Sequence, residues 1–285
     1  MPKNIALITD STCDIPEHLR QQYNIYLVPL TIVWGKEQFL DRVDLKAEDF
    51  YTRLSTDEVR PTTSQPTPKD FLAKYEQAKA DGAEEIVVVV ISGAMSGTIG
   101  SARTAAEGFD LPVHIFDSRS NSMSLGWQVL AAARAREAGA DAQGMLDAAD
   151  AVRKQLHYHI VLDTTEFLLK GGRVAGAASK IGSMLQIKLQ IRVNHESGSV
   201  EPGDITRTRK QAIEKLFTSF VKLLDLSKPT HIAVLHNAAL AEAEALVERI
   251  KQELNPSELI LTIVSPVLGV HTGPQAIALS GYNEP

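Results

Sequence analysis

Residues Val87 to Ala102 read VVVVISGAMSGTIGSA, and this stretch decides the fold. From Ile86 to Ile91 the chain is continuously apolar and β-branched, the pattern of a strand buried on both faces in a parallel sheet. Ser92, Gly93, Ser96, Gly97 and Thr98 then break the run, and helix-compatible sequence resumes from Ile99 to Glu107. A strand, a turn of small residues and a helix start suit an anion. Free backbone N–H groups, the positive end of the helix dipole and nearby hydroxyls meet there, at the carboxyl edge of the sheet.

Other segments repeat the theme. Ile5 to Ile8 reads as a short buried strand ending at Thr9-Asp10-Ser11-Thr12, with Asp14, Ile15 and Pro16 opening a helix to Tyr23. Ile25 to Val33 reads as one further strand, and a helix is expected over Lys46 to Leu54. Arg60 to Pro68 carries three prolines and reads as a loop, with Thr67 as N-cap and Pro68 in the first turn of the next helix. Val113 to Phe116 is a third buried strand, ending at Asp117-Ser118-Arg119-Ser120-Asn121-Ser122-Met123, and helices are expected over Ser124 to Ala138 and Asp141 to Gln155. After His157 the pattern changes. Strands are expected at His159 to Leu162, His231 to Leu235, Leu259 to Val264 and Ala276 to Leu279, with a hairpin around Glu196 to Gly198. Helices are expected over Ile205 to Leu224 and Leu240 to Glu253. The reading is an α/β protein of two domains, residues 1–158 around a parallel sheet with flanking helices and residues 159–285 around a mixed sheet.

Composition narrows the function. At 285 residues the chain has ample core for two domains without staples. With 29 Lys and Arg against 35 Asp and Glu, the net charge of −6 argues against a general nucleic-acid or anionic-membrane partner. The single Cys13 forms no disulfide framework and reads as a small buried residue. No apolar run approaches the length of a membrane span, and MPKNIALITD runs straight into a strand, so a cytoplasmic location is expected.

The glycines of Gly93 to Gly100 are spaced G-x3-G-x2-G, which matches neither the dinucleotide fingerprint nor the P-loop. No nucleotide cofactor is expected. A serine hydrolase acting on a small acyl ester remains open, with Ser96 or Ser92 as nucleophile, His271 or His236 as base and Asp10 or Asp117 as orienter. Asp10 as a phosphoryl acceptor lacks a second carboxylate for Mg²⁺, and capping of its own loop accounts for it better. The eight histidines show no metal spacing; His157 and His159 on one strand face have no carboxylate or thiol company, so no metal is expected. A sugar or phosphate sensor would use the same helix start but a polar cavity. His271-Thr272-Gly273-Pro274 reads equally as an anion-binding turn and as a structural one.

Taken together, Thr9 to Thr12, Pro61-Thr-Thr-Ser-Gln-Pro66, Ser92-Gly-Ala-Met-Ser-Gly-Thr98, Asp117-Ser118 with Met123, Gly171-Gly-Arg173 and His271 to Pro274 resemble the DegV family of bacterial fatty-acid-binding proteins, in the right order over the whole chain. The resemblance implies a long-chain fatty acid as ligand and no cofactor. Its carboxylate would be held by Thr63, Ser64, Ser96 and His271, with the Gly97, Thr98, Thr272 and Gly273 positions of the same motifs alongside. The tail would lie in an apolar tunnel, for which Val174 to Leu185 and nearby Ile and Leu residues are candidates. Burying some 15 methylenes at ~0.8 kcal/mol each sets a ceiling of ~12 kcal/mol on the tail's contribution, before ordering costs. The resemblance also implies a partner, an ATP-dependent fatty acid kinase subunit to which the acyl carboxylate is presented. Arg207, in Thr206-Arg-Thr-Arg-Lys210, is the candidate contact for that partner or for an acyl phosphate. Two positions depart from the family pattern, Leu189 and Gln275; Gln275 stands where glycine is usual and brings an amide to the head-group end.

Overall fold

The computed structural model describes residues 4–173 and 187–284. The first domain runs β1 (Ile5–Asp10), α1 (Glu17–Gln22), β2 (Ile25–Val28), β3 (Thr31–Trp34), β4 (Glu37–Leu40), α2 (Ala47–Thr56), β5 (Thr62–Ser64), α3 (Pro68–Ala80), β6 (Glu85–Val90), α4 (Thr98–Ala106), β7 (Val113–Asp117), α5 (Ser122–Glu137) and α6 (Ala142–Gln155). The second runs β8 (His157–Leu162), α7 (Glu166–Gly171), β9 (Lys188–Asn194), β10 (Ser199–Thr206), α8 (Arg209–Val221), β11 (Thr230–His236), α9 (Leu240–Leu254), β12 (Glu258–Ile263), α10 (Pro266–Thr272) and β13 (Ile277–Asn283).

Three sheets organise these elements. β2-β1-β6-β7 is wholly parallel, and the two central strands β1 and β6 are buried along their whole length, as the apolar runs Ile5 to Ile8 and Ile86 to Val90 demand. β10-β9-β8-β13-β11-β12 is mixed, with β11 and β12 parallel and the remaining neighbours antiparallel. A small antiparallel sheet, β4-β3-β5, packs against α10 through β3 and β5.

Between the two large sheets lies α5. It touches β1 and β6 on one side and β13 on the other, so Ser122 to Leu130 are buried all round rather than along one stripe. Trp127 is fully buried and meets Tyr282 edge-on at 5.7 Å; Ser124 and Ser280 share a hydrogen bond of 2.9 Å, and Arg134 grips Glu258 with bonds of 2.8 and 2.9 Å. One continuous apolar core therefore includes Leu7 and Val87 of the parallel sheet, Met123 and Leu130 of α5, Met145 of α6, and Ile160, Leu235 and Ala278 of the mixed sheet.

Beside that core, His231 bridges Glu258 at 2.7 Å and Glu284 at 2.9 Å and stacks on Tyr282 at 4.7 Å. Burial opposes the charged ring, but the two carboxylates outweigh it and hold the His231 pKa above its usual 6.5. A group whose pKa is raised by folding lends stability that is complete below the unfolded value and disappears as pH climbs through the folded one. Melting temperature in the wild type is thus expected to fall as pH rises above about 6.5, and this slope should flatten in His231→Phe. Parallel pH–melting curves for the two proteins would refute the bridge.

Several elements differ from the sequence reading. Ile25 to Val33 is two strands in different sheets, because Pro29 and Leu30 turn the chain out of the parallel sheet. The proline-rich loop contains β5. Thr62 to Ser64 lie between Pro61 and Pro66 and pair only with β3, so the edge position asks no ladder bond of a proline. Ile205 and Thr206 belong to β10, and the expected long helix is confined to Arg209–Val221, with Thr208 as its N-cap. His271 and Thr272, read from the sequence as part of a turn, are the last two residues of the helix Pro266–Thr272. Thr67 is the N-cap of α3 and Pro68 its first residue, as expected, and Asp70 completes a capping box that the sequence reading did not name. The Val174 to Leu185 tunnel assignment lies outside the described residues.

Candidate functional site

A cavity of about 410 Å³ sits where the carboxyl edge of the parallel sheet, the small sheet, α10 and the face of the mixed sheet converge. Its buried wall is mostly apolar, with Leu30, Ile91, Ile160, Ile191, Val264 and Val267 among its residues beside the buried polar Thr12 and Asn237. Its rim is polar. Ser64, Gln65, Gly97 and Arg173 reach solvent there, and Thr63, Ser96 and His271 are half-buried just inside.

Each polar group has a structural reason for its place. Thr63 stands on β5, and its hydroxyl is 3.0 Å from Nε2 of His271, the penultimate residue of α10. Ser96 lies in the turn after β6; its Oγ accepts the Thr98 N–H at 3.3 Å and pairs with the Thr98 hydroxyl at 2.8 Å, at the start of α4. Burial, aided by Arg173, pulls the His271 pKa down to about 4, so the ring is neutral near pH 7. Among the described residues its buried Nδ1 has no partner. An orphaned acceptor costs less than an orphaned donor, which favours the tautomer with its proton on Nε2. That proton is donated to Thr63 Oγ1, and the Thr63 hydroxyl hydrogen is left free to point into the cavity.

Of the eight ligand-binding residues expected from sequence, Thr63, Ser64, Ser96, Gly97, His271 and Thr272 border this one cavity. Thr98 and Gly273 stand one step behind, Thr98 on Ser96 and Gly273 with its carbonyl accepting from Asn237 at 2.7 Å. Arg207 is exposed and beside a different, shallow surface depression with Ile205 and Lys210. Gln275 adopts φ +61°, so it takes the left-handed backbone conformation without being glycine; its exposed amide donates to Ala238 O at 2.8 Å rather than into the cavity. Leu189 is a buried core residue of β9.

The hydrolase arrangement is not assembled. Ser92 donates to Gly198 O at 2.7 Å, Ser96 is engaged with Thr98, and His271 faces Thr63 with no carboxylate behind it. Asp10 is fully buried and accepts from Thr12 and from the Ile91 N–H, while Asp117 accepts from the Gly93 and Arg119 N–H groups. Burial raises the Asp10 pKa and pushes the Cys13 thiol up to about 12. Both are interior groups. His236 keeps a buried, unpartnered Nδ1 and does not border the cavity. Among the described residues no cluster of three or more His, Cys, Asp or Glu is placed to hold a metal, and no helix is long and apolar enough to cross a membrane.

Sequence reasoning gave no role to Asn237, which donates to the Thr272 hydroxyl at 2.8 Å and so fixes the end of α10. It follows the carboxyl end of β11, and the strand-end logic that picked out Thr9 to Thr12 would have found it. Gly171 enters the sequence reading only within the Gly171-Gly-Arg173 motif, without a role of its own. A Cβ there would lie 2.5 Å from His271 Nδ1, so the bare α-carbon makes room for the ring. Gly171→Ala is expected to push the imidazole off Thr63; a crystal structure of the variant with the 3.0 Å contact intact would show that the ring need not move. Gly273, at φ +71°, leaves room for Phe167 in the same way.

The chain matches the family model described as "Uncharacterised protein, DegV family" over residues 4–284. A DegV domain-containing protein of Halalkalibacterium halodurans is 31% identical over 281 residues, 98% of this chain and 99% of the relative. Among solved structures, the Bacillus subtilis protein described as "DegV, a fatty acid binding protein" is 28% identical with a TM-score of 0.89 over 99% of both chains. A DegV family protein from Thermus thermophilus, its structure described as "Fatty Acid Binding", is 28% identical with a TM-score of 0.88 over 98% of this chain and 99% of the other.

Proposed function

The chain belongs to the DegV family, and we propose that it binds a long-chain fatty acid, carboxylate at the rim and tail in the apolar cavity. The observation that carries this reading is the polarity gradient of one cavity: hydroxyl and imidazole groups from Thr63, Ser96 and His271 at one end, aliphatic side chains beyond. A carboxylate needs donors and no obligatory cation. The Thr63 hydroxyl, oriented by His271, supplies one, and the Ser96 hydroxyl supplies another when it rotates from Thr98. The volume lies in the range of small-molecule pockets, and the tail supplies most of the affinity by leaving water.

On the same reading the protein presents the acyl carboxylate to a separate ATP-using kinase subunit and performs no turnover itself. Arg173 borders the rim, where a guanidinium suits carboxylate and phosphate alike. Arg207, exposed and away from the cavity, is assigned to the partner. We place the boundary of the two domains at residue 158, two residues into β8, where the chain enters the mixed sheet.

Mass spectrometry of the organic extract from denatured, purified protein tests the ligand, with protein-free buffer and an unrelated protein as controls. A near-stoichiometric fatty acid is the expected result. An empty extract, with no rise in melting temperature on adding fatty acids of several lengths, would overturn the reading.

A further inference from the structure

The Thr63–His271 contact joins two domains, since β5 belongs to the first and α10 to the second. Something must set α10 in register against β5, and a second buried cluster does so. Asp14, fully buried after the turn that follows β1, accepts from Arg42 Nη2 at 2.5 Å and from the Ser265 N–H at 2.9 Å through Oδ1. Its Oδ2 accepts from the Ser122 hydroxyl at 2.5 Å, and its backbone carbonyl accepts from Thr262 Oγ1 at 3.1 Å. Around this centre, Arg42 also reaches Ile263 O at 3.2 Å, Tyr51 donates to Val264 O at 3.1 Å, and Asp41 accepts from the Val267 N–H at 3.3 Å. Every residue from Thr262 to Val267 except Pro266 is thereby tied to the first domain, immediately before and within the first turn of α10.

Backbone conformation makes the same point independently. Asp14, Arg42 and Ser122 adopt φ values of +52°, +64° and +52°, a region that residues with a Cβ seldom enter, and all three meet at one carboxylate. Such conformations persist where the surroundings over-determine them, and they gather at sites where geometry matters. The residues beside the cluster line the cavity: Thr12 before Asp14, Asn121 before Ser122, and Val264 before Ser265. Asp14, Arg42, Ser122 and Ser265 do not themselves border the cavity, so the carboxylate acts through what it holds.

We propose that Asp14 is a positioning residue for the ligand's head group: by fixing Ser265 and Arg42 it sets the register of α10 and keeps His271 on Thr63. This rests on the fatty-acid reading. The tail's walls serve an acid and the corresponding alcohol alike, whereas the register of His271 matters to the carboxylate, so the acid-to-alcohol affinity ratio isolates the positioning role.

The test measures that ratio, for a saturated fatty acid and the fatty alcohol of equal length, in the wild type, Asp14→Asn and Arg42→Met. Arg134→Met, which breaks an equally structural ion pair far from α10, is the control. In the Asp14 variant the ratio is expected to fall about tenfold, the alcohol's own affinity moving less than about twofold; Arg42→Met should act in the same direction and decides the matter if Asp14→Asn does not fold. Arg134→Met should lower the melting temperature and leave the ratio alone. A wild type that prefers the acid while folded variants keep the preference overturns the positioning role and spares the ligand assignment. A wild type that binds neither compound overturns both.

Discussion

Replacing His271 with Ala is expected to weaken fatty-acid binding about ten- to hundredfold, the usual worth of a hydrogen-bond arrangement around a charged group. The loss has two parts. Thr63 loses the partner that orients its hydroxyl at 3.0 Å, and the carboxylate then meets a donor free to turn elsewhere. The remainder is desolvation of a head group with fewer partners at a half-buried rim. Because His271 Nδ1 has no partner, little besides the Thr63 contact is broken in the free protein, and the ligand-free melting temperature should stay within a few degrees of wild type. Titration with a fluorescent fatty acid, displaced by an unlabelled one, checks the affinity; a dissociation constant within twofold of wild type would remove His271 from the head-group site.

The second large effect concerns the core. Trp127→Ala removes a fully buried indole from the α5 layer, at a cost of about 3–5 kcal/mol. The ring meets Tyr282 at 5.7 Å and His231 at 5.8 Å, both in the mixed sheet, while its own helix leans on the parallel sheet. The cavity left behind cannot close without moving one sheet, so the penalty should sit at the upper end. A drop of roughly 10 °C in melting temperature is expected for a chain of this size. A shift below about 2 °C would mean that the layer repacks freely.

The buried strands were legible because a strand covered on both faces has no choice but to be apolar throughout: Ile86 to Ile91 admits few other readings. The strand ends were legible for a related reason, since Ser, Thr and Asp cluster where strands of a parallel sheet stop and backbone groups need partners. Failures came where tertiary context overrode local signals. Thr62 to Ser64 lack any apolar alternation and lie between prolines, yet they form an edge strand because β3 offers one free side. Ile205 and Thr206 fit a helical period but are drawn into β10 by pairing with Leu189 and Lys188. At the candidate site, motifs named Thr63, Ser96 and His271, which the fold brings to one cavity. No local pattern could show that Asp14, Arg42, Ser122 and Ser265, separated by up to 251 residues, share one carboxylate.

The helix layer between the two sheets also bears on how the molecule comes apart. α5 presents apolar surface to both sheets at once, so neither domain can open without exposing its half of the other's interior, and the chain should melt in a single calorimetric transition. Amide protons of β6 and of β13, which belong to different sheets, should then exchange through the same global opening and report one free energy. The hairpin tip at Glu196 to Gly198, whose amides are held only within the turn by Asn194 and which meets the rest of the molecule through Ser92 and Arg119, should exchange sooner.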